Sequence, residues 1–202
     1  MSFCAMMWSV RTADSSDVAR IASFAGSLFR HAYGPTHPEP TLSEYLATAF
    51  AEARFAESIA DPACTTLIVE SLDGAWLGYA QLRMGAPTPP TRQILSTLPG
   101  TKPVEIVRFY VDHAWHGRGV AGPLMHACEE NARERGCDVL WLQAWQEAQQ
   151  ALRFYEKAGF SVYGTAVFTF GERADSDLVL ARAIALGEYR HRSPANCAPG
   201  LP

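Results

Sequence analysis

The chain has 202 residues and a formal net charge of −4, with 48% hydrophobic and 19% charged residues. This length suits one domain with a hydrophobic core, and the composition is ordinary for a soluble globular protein. The weak negative charge and the lack of a basic run argue against a nucleic-acid binder. No apolar stretch reaches the roughly 18 residues of a membrane span, and residues 1–9 lack a secretory signal pattern. We therefore expect a cytoplasmic protein with no nucleic-acid or membrane partner.

Cysteine and histidine spacing gives no sign of a metal centre. None of the five cysteines forms a CxxC pair, and none of the six histidines has HExxH spacing. A zinc site and a disulfide framework are therefore not indicated, and we expect no bound metal. An odd cysteine count fits a reducing compartment, which agrees with a cytoplasmic location.

The first half of the chain alternates periodic segments with breaks rich in glycine and proline. The patterns predict a short strand over residues 9–12, a helix over 18–33 and a second helical region over 41–61. A β-hairpin follows, with strands over residues 65–71 and 76–83. Asp73 and Gly74 supply the turn of the hairpin. Residues 85–103 contain five prolines and no periodicity, so a long loop is predicted there.

The second half contains a strand–loop–helix–strand unit and then a helix and two strands. The predicted strands cover residues 104–112, 139–145, 160–170 and 178–183, and the predicted helices cover 120–135 and 147–158. Because a helix connects the first two of these strands, they should be parallel neighbours. The chain is therefore expected to be an α/β protein with a mixed sheet. One domain would span residues 1–186, with a flexible tail over 187–202.

A glycine-rich loop lies between a predicted strand and a predicted helix. The loop consists of His116, Gly117, Arg118, Gly119, Val120, Ala121 and Gly122. Glycines let the backbone approach a ligand closely, and the unpaired N–H groups at the start of a helix suit phosphate oxygens. The loop is therefore predicted to hold a ligand with a pyrophosphate. Arg118 could reach a phosphate, although a solvated arginine is an equal alternative.

The same loop also satisfies the dinucleotide fingerprint, with Gly117, Gly119 and Gly122 at the glycine positions. That fingerprint places its first glycine directly after a strand, and an acidic residue about 20 positions later at the end of a second strand. Here five residues separate the strand from the glycines, and Asp138 precedes the second strand. The dinucleotide interpretation is therefore the weaker alternative.

The glycine-rich loop resembles a motif of the GNAT superfamily of N-acetyltransferases. Residues 105–121 are similar to the acetyl-CoA-binding motif of that family, which contains Gln/Arg-x-x-Gly-x-Gly/Ala. Gly119 and Ala121 match this pattern, whereas His116 replaces the usual Gln or Arg.

A second segment, residues 151–160, resembles the family's conserved helix with the pattern Ala-x-x-Phe-Tyr-x-x-x-Gly-Phe. Ala148 stands where the family often has Asn. The predicted hairpin is similar as well, and the resemblance covers about residues 9–183. The resemblance implies a central, mostly antiparallel sheet that splays at one parallel pair and is flanked by helices.

The resemblance also implies acetyl-CoA as cosubstrate, with its pyrophosphate on the backbone N–H groups of residues 117–122. A backbone N–H near Tyr110 or Val111 would hold the thioester carbonyl. The departures at His116 and Ala148 leave open a protein that binds CoA without catalysis.

Acetyl transfer to an amine needs an acid and a base. An alkylamine with a pKa of about 10.4 is rarely neutral at pH 7, and a thiolate must leave. The resemblance makes Tyr155 the acid near the CoA sulfur; a packing role is the alternative.

Glu105 resembles the glutamate that many GNAT members carry at this strand start, which makes it the candidate base. Strict alternation would place Glu105 on one strand face with Val107, Phe109 and Val111, and apolar neighbours would raise its proton affinity. A solvated strand-end glutamate is the alternative, and Asp112 and His113 are other candidates.

The acceptor is expected to be a small-molecule or peptide amine. The predicted front helices carry aromatic and acidic residues together, namely Phe29, Tyr33, Tyr45, Phe50 and Phe55 with Glu39, Glu44, Glu52 and Glu57. This combination suits a cation such as a polyamine, and residues 42–50 look like those of bacterial polyamine N-acetyltransferases. A plain amphipathic helix explains the same residues and is the favoured interpretation. A homodimer is compatible with these features.

Overall fold

The computed structural model describes residues 8–85, 87–97, 100–170 and 173–184. Within these ranges it contains the strands β1 Trp8–Thr12, β2 Cys64–Ser71, β3 Trp76–Met84, β4 Pro103–Val111, β5 Val139–Trp145, β6 Ser161–Phe170 and β7 Arg173–Ala183. Its helices are α1 Val18–Tyr33, α2 Glu39–Ala49, α3 Glu52–Ala60, α4 Pro89–Leu95, α5 Ala121–Glu134 and α6 Gln149–Lys157. The tail predicted over 187–202 lies outside the described residues. No helix in the described ranges is long and apolar enough to cross a membrane.

The strands form one sheet with the order β1-β2-β3-β4-β5-β7-β6. All neighbouring strands are antiparallel except β4 and β5, which are parallel. The predicted mixed sheet with a single parallel pair is therefore confirmed. The helix that connects this pair, α5, makes the crossover that two parallel neighbours require.

Helices cover both faces of the sheet. On one face, α5 buries Leu124 and Cys128 against β3 and β4, in a core that also contains Tyr155 of α6. These two α5 residues are four positions apart, so they lie on the same side of the helix. On the other face, α1 and α3 bury Ile21 and Phe55 in a second core with strand residues of β2 and β3.

The long loop predicted over residues 85–103 is wrong in part, because it contains α4. The structure places prolines in the first turn of this helix, where a missing N–H breaks no intrahelical bond. Leu95 of α4 packs with Val139, Trp141 and Val179 and so covers one face of β5 and β7. Two further boundaries differ: residues 41–61 contain most of α2 and all of α3, and β7 begins before residue 178.

Candidate active site

The two parallel strands separate soon after they begin. β4 and β5 pair at only three positions, from Pro103 with Val139 to Glu105 with Trp141. Beyond Glu105 they diverge and leave a cleft of about 680 Å³. The glycine-rich loop, the beginning of α6 and the end of α1 also line this cleft.

The cleft passes through the sheet and therefore has two halves. The half towards α5 and α6, here the α5 half, is lined by Ile106, Phe109, Val111, Val120 and Tyr155. The half towards α1, here the α1 half, is lined by Leu28, His31, Tyr33, Arg108, Tyr110 and Trp145. A ligand that enters from one side can thus meet a ligand from the other side between the strands.

A β-bulge decides which β4 side chains face which half. The register shifts between Gln81 and Leu82, so Val107 is an extra residue in β4. A bulge interrupts the strict alternation of side chains. The prediction that Glu105 shares a face with Phe109 and Val111 is therefore wrong: Glu105 lies on the face of Arg108 and Tyr110.

Glu105 lies at the paired end of β4, outside the cleft lining. Its carboxylate accepts a hydrogen bond from the Arg83 guanidinium at 2.7 Å, and its side chain is 16% exposed. Trp141 is its neighbour on β5. The acetyl-transfer base predicted here is thus an ion-paired, mostly buried carboxylate that directly precedes Ile106, a β4 residue that lines the cleft.

The glycine-rich loop offers bare backbone at one end of the cleft. Gly117 and Gly119 have φ angles of +72° and +83°, a region that side chains other than glycine rarely adopt. A Cβ at either position would meet no atom within 4 Å, so the space beside the backbone is open. Helix α5 begins at Ala121, and the N–H groups of its first turn have no intrahelical partner. The loop can therefore accept an anionic group at close range.

His116 connects this loop to both sides of the cleft mouth. Its Nε2 lies 2.9 Å from the carbonyl oxygen of Val111, and its Nδ1 lies 3.4 Å from the side-chain nitrogen of Gln150. A neutral ring with the proton on Nε2 satisfies both contacts, donating to the carbonyl and accepting from the amide. His116 therefore holds the start of the loop against β4 and α6.

Arg118 lies on the outer side of the loop and does not line the cleft. Its guanidinium is exposed and stacks over the ring of Trp115, 5.5 Å from the ring centre. The role of Arg118 as a phosphate ligand stays a prediction.

Tyr155 projects from α6 into the α5 half. The rings of Phe109, Phe154 and Phe160 surround it at 6.2, 5.5 and 5.8 Å between centres. Burial raises the pKa of this phenol well above its ordinary value of about 10, so the hydroxyl stays protonated at neutral pH. Ala148, at the N-cap of α6, makes no side-chain capping bond.

The aromatic and acidic residues that would select a cation, in the less favoured interpretation of the front helices, do not come together at the cleft. Phe29, Phe50 and Phe55 are buried in the core between the sheet and the front helices. Of the nine residues in that prediction, Tyr33 alone lines the cleft. Glu39 and Glu57 form exposed ion pairs with nearby arginines instead.

The structure adds cleft residues that the sequence patterns did not single out. His31 stacks on His113 at 4.0 Å between ring centres, at the edge of the cleft. Trp145 ends β5 against Tyr33, and Arg108 follows the bulge. The one available signal was the position of Arg108 and Trp145 in the two strands predicted to be parallel.

Comparison with known proteins identifies this arrangement. Residues 27–160 match the family model described as Acetyltransferase (GNAT) family. The chain belongs to this family. An uncharacterized N-acetyltransferase of Mycobacterium tuberculosis is 30% identical over 169 residues, which cover 84% of this chain and 99% of that relative.

Two solved structures have the same fold as this GNAT chain at low sequence identity. PaiA N-acetyltransferase from Thermoplasma acidophilum, in complex with coenzyme A, has a TM-score of 0.67 and 15% identity over 89% of this chain and 100% of that one. Spermidine N-acetyltransferase from Vibrio cholerae, in complex with CoA and spermine, has a TM-score of 0.61 and 16% identity over 88% and 95%.

The protein is therefore a GNAT N-acetyltransferase, and acetyl-CoA is its cosubstrate. The mostly antiparallel sheet also removes the doubly wound fold that the dinucleotide interpretation requires.

Proposed function

We propose that the enzyme transfers the acetyl group to a primary amine, of a small molecule or a peptide, by direct attack in the cleft between β4 and β5. The observation that carries this proposal is the course of the cleft. It runs through the sheet from the open glycine-rich loop, past Tyr155, to the α1 half. Donor and acceptor can thus approach one carbonyl from opposite sides without a covalent enzyme intermediate.

The donor is proposed to occupy the α5 half. Its pyrophosphate would accept hydrogen bonds from backbone N–H groups of residues 117–122, where glycines allow close contact. Its thioester carbonyl would lie near the backbone N–H of Tyr110 or Val111, which would stabilise the oxyanion of the tetrahedral intermediate.

Tyr155 is proposed to act as the general acid. The amine nitrogen attacks the carbonyl carbon, and the carbon–sulfur bond then breaks to release a thiolate. The phenol gives its proton to that sulfur. Because burial raises the pKa of Tyr155, its proton is retained until negative charge develops on a nearby atom.

Glu105 is proposed to take the proton that the attacking amine loses. The carboxylate lies outside the cleft lining, so this transfer would pass through water between Glu105 and the α1 half. His113 lines the cleft and is the alternative base. The cytoplasmic location and a homodimer stay predictions of the sequence.

Release of CoA thiol from acetyl-CoA with a panel of amines tests the proposal. Thiol release that depends on enzyme and amine, with an acetylated amine found by mass spectrometry, would support it. Tight acetyl-CoA binding by calorimetry without transfer to any amine would instead support the CoA-binding alternative.

A further inference from the structure

The charges in the α1 half are unlike those expected for a site that selects a polycation. Of the described residues that line the cleft, the ionisable ones that can carry positive charge are His31, Arg108, His113 and His116. The described lining contains no aspartate or glutamate. A site that binds a polyamine gains affinity from acidic side chains, so this lining favours a different acceptor.

Arg108 is the permanent charge in this group, and neutral partners hold it. Its guanidinium donates to the Gln81 side-chain oxygen at 3.2 Å and to the Ala49 carbonyl oxygen at 2.6 Å. It also stacks over Phe50 and Phe55, 4.4 and 5.2 Å from the ring centres. These four contacts fix the orientation of the guanidinium without neutralising its charge.

No carboxylate of the described part of the chain lies within salt-bridge distance of Arg108. The buried Asp177 is on β7, opposite Trp145, and does not line the cleft. A half-buried cation has lost part of its favourable hydration free energy, and here no ion pair compensates for that loss. An anion that enters the α1 half would therefore be attracted to Arg108.

We propose that the acceptor is an amine that also carries a carboxylate, such as an amino acid, and that Arg108 binds this carboxylate. The guanidinium presents a planar set of donors that matches a carboxylate, and Gln81 and Ala49 hold that plane in place. Tyr33, Tyr110 and Trp145 would surround the rest of the acceptor with apolar surface. This inference rests on the proposed transfer to a primary amine.

Matched acceptors test the inference on the wild-type enzyme. Glycine, β-alanine, γ-aminobutyrate and phenylalanine are each compared with their carboxamides, and spermidine serves as the cationic probe. For the best acid, kcat/KM should exceed that of its amide by about 10- to 100-fold, the range expected for a hydrogen-bonded ion pair. Each amide keeps the amine but lacks the carboxylate. Its amine is also less basic, which favours the amide, so a preference for the acid reports on the carboxylate.

Two variants assign the effect to Arg108. Arg108→Gln should remove the preference for acid over amide, whereas Arg108→Lys should retain part of it because the charge remains. In both variants the Kd for acetyl-CoA should match wild type, since Arg108 faces the α1 half. Thermal unfolding of each variant shows whether the fold is intact.

Equal kcat/KM for acids and amides in wild type, or a preference for spermidine, would overturn the inference while acetyl transfer itself stands. A preference for acids that survives in a folded Arg108→Gln enzyme would also overturn it. Absence of transfer to every amine, with acetyl-CoA still bound, would instead count against the proposed function.

Discussion

The Nε2 atom of His116 lies 2.9 Å from the carbonyl oxygen of Val111, so the motif position that usually carries Gln or Arg is here a link between the loop and β4. His116→Ala removes this bond and the contact with Gln150. The Kd for acetyl-CoA should rise about tenfold, since two hydrogen bonds contribute on the order of 0.5–1.5 kcal/mol each. Calorimetry measures this change.

His116→Gln is the matched control, because a glutamine amide can also donate and accept. Its Kd should return to within about threefold of wild type. If the glutamine variant binds acetyl-CoA as weakly as the alanine variant, the hydrogen bonds of His116 to Val111 and Gln150 do not account for its effect on binding.

Gly119 is predicted to serve the cosubstrate, and a second glycine provides the comparison. Gly119 and Gly136 both have positive φ angles, of +83° and +69°, and open space where a Cβ would be. Replacing either by Ala should cost roughly 1–2 kcal/mol of unfolding free energy through backbone strain. Only Gly119→Ala should also weaken acetyl-CoA binding, by about tenfold or more, because its methyl group occupies the proposed pyrophosphate site. If both variants bind acetyl-CoA with the same affinity, the glycine-rich loop is not part of the acetyl-CoA site.

Tyr155→Phe removes only a hydroxyl and tests the acid. We expect kcat to fall by about 10²–10⁴-fold while the Kd for acetyl-CoA holds. Tyr79→Phe is the control, since Tyr79 is buried outside the cleft and its hydroxyl has no hydrogen-bond partner among the described residues. That variant should keep wild-type kcat. Full activity of Tyr155→Phe would mean that water protonates the thiolate.

The raised pKa of Tyr155 also predicts part of the pH profile. A phenol whose pKa is raised keeps its proton below the ordinary value of about 10 and loses it only above that value. Wild-type kcat should therefore not decline between about pH 8 and pH 10 through this group. A decline there that vanishes in Tyr155→Phe would contradict this assignment.

Glu105→Gln tests the base. Its kcat/KM deficit should be greatest near neutral pH and should shrink as pH rises, because the solution then supplies more neutral amine. Arg83→Gln breaks the same ion pair but keeps the carboxylate, so it should retain most activity. Parallel pH profiles of Glu105→Gln and wild type would leave Glu105 with a structural role.

The sequence was most informative for features that are determined by residues close together in the chain. The glycine-rich loop between a strand and a helix, α5 itself and the parallel pair that α5 connects each depend on residues close together in the chain, and each was predicted correctly. The position of Tyr155 on a helix that borders the cleft followed from its motif.

Features that depend on pairing between distant segments were not predictable in the same way. The bulge at Val107 exists because β3 and β4 shift register, and this shift places Glu105 on the face of Arg108 and Tyr110 instead of that of Phe109 and Val111. Helix α4 was missed because its prolines were interpreted as breakers, although they stand in its first turn. The core aromatic residues of the front helices resembled a cation site because sequence alone does not distinguish a cleft from a core.

The short pairing of β4 with β5 divides the sheet into a four-stranded part and a three-stranded part that share few backbone hydrogen bonds. A molecule bound between these strands contacts both parts and stabilises the folded state by mass action. Acetyl-CoA in the proposed position would thus stabilise the sheet as well as react. The resistance of the enzyme to unfolding would then rise with the concentration of this metabolite.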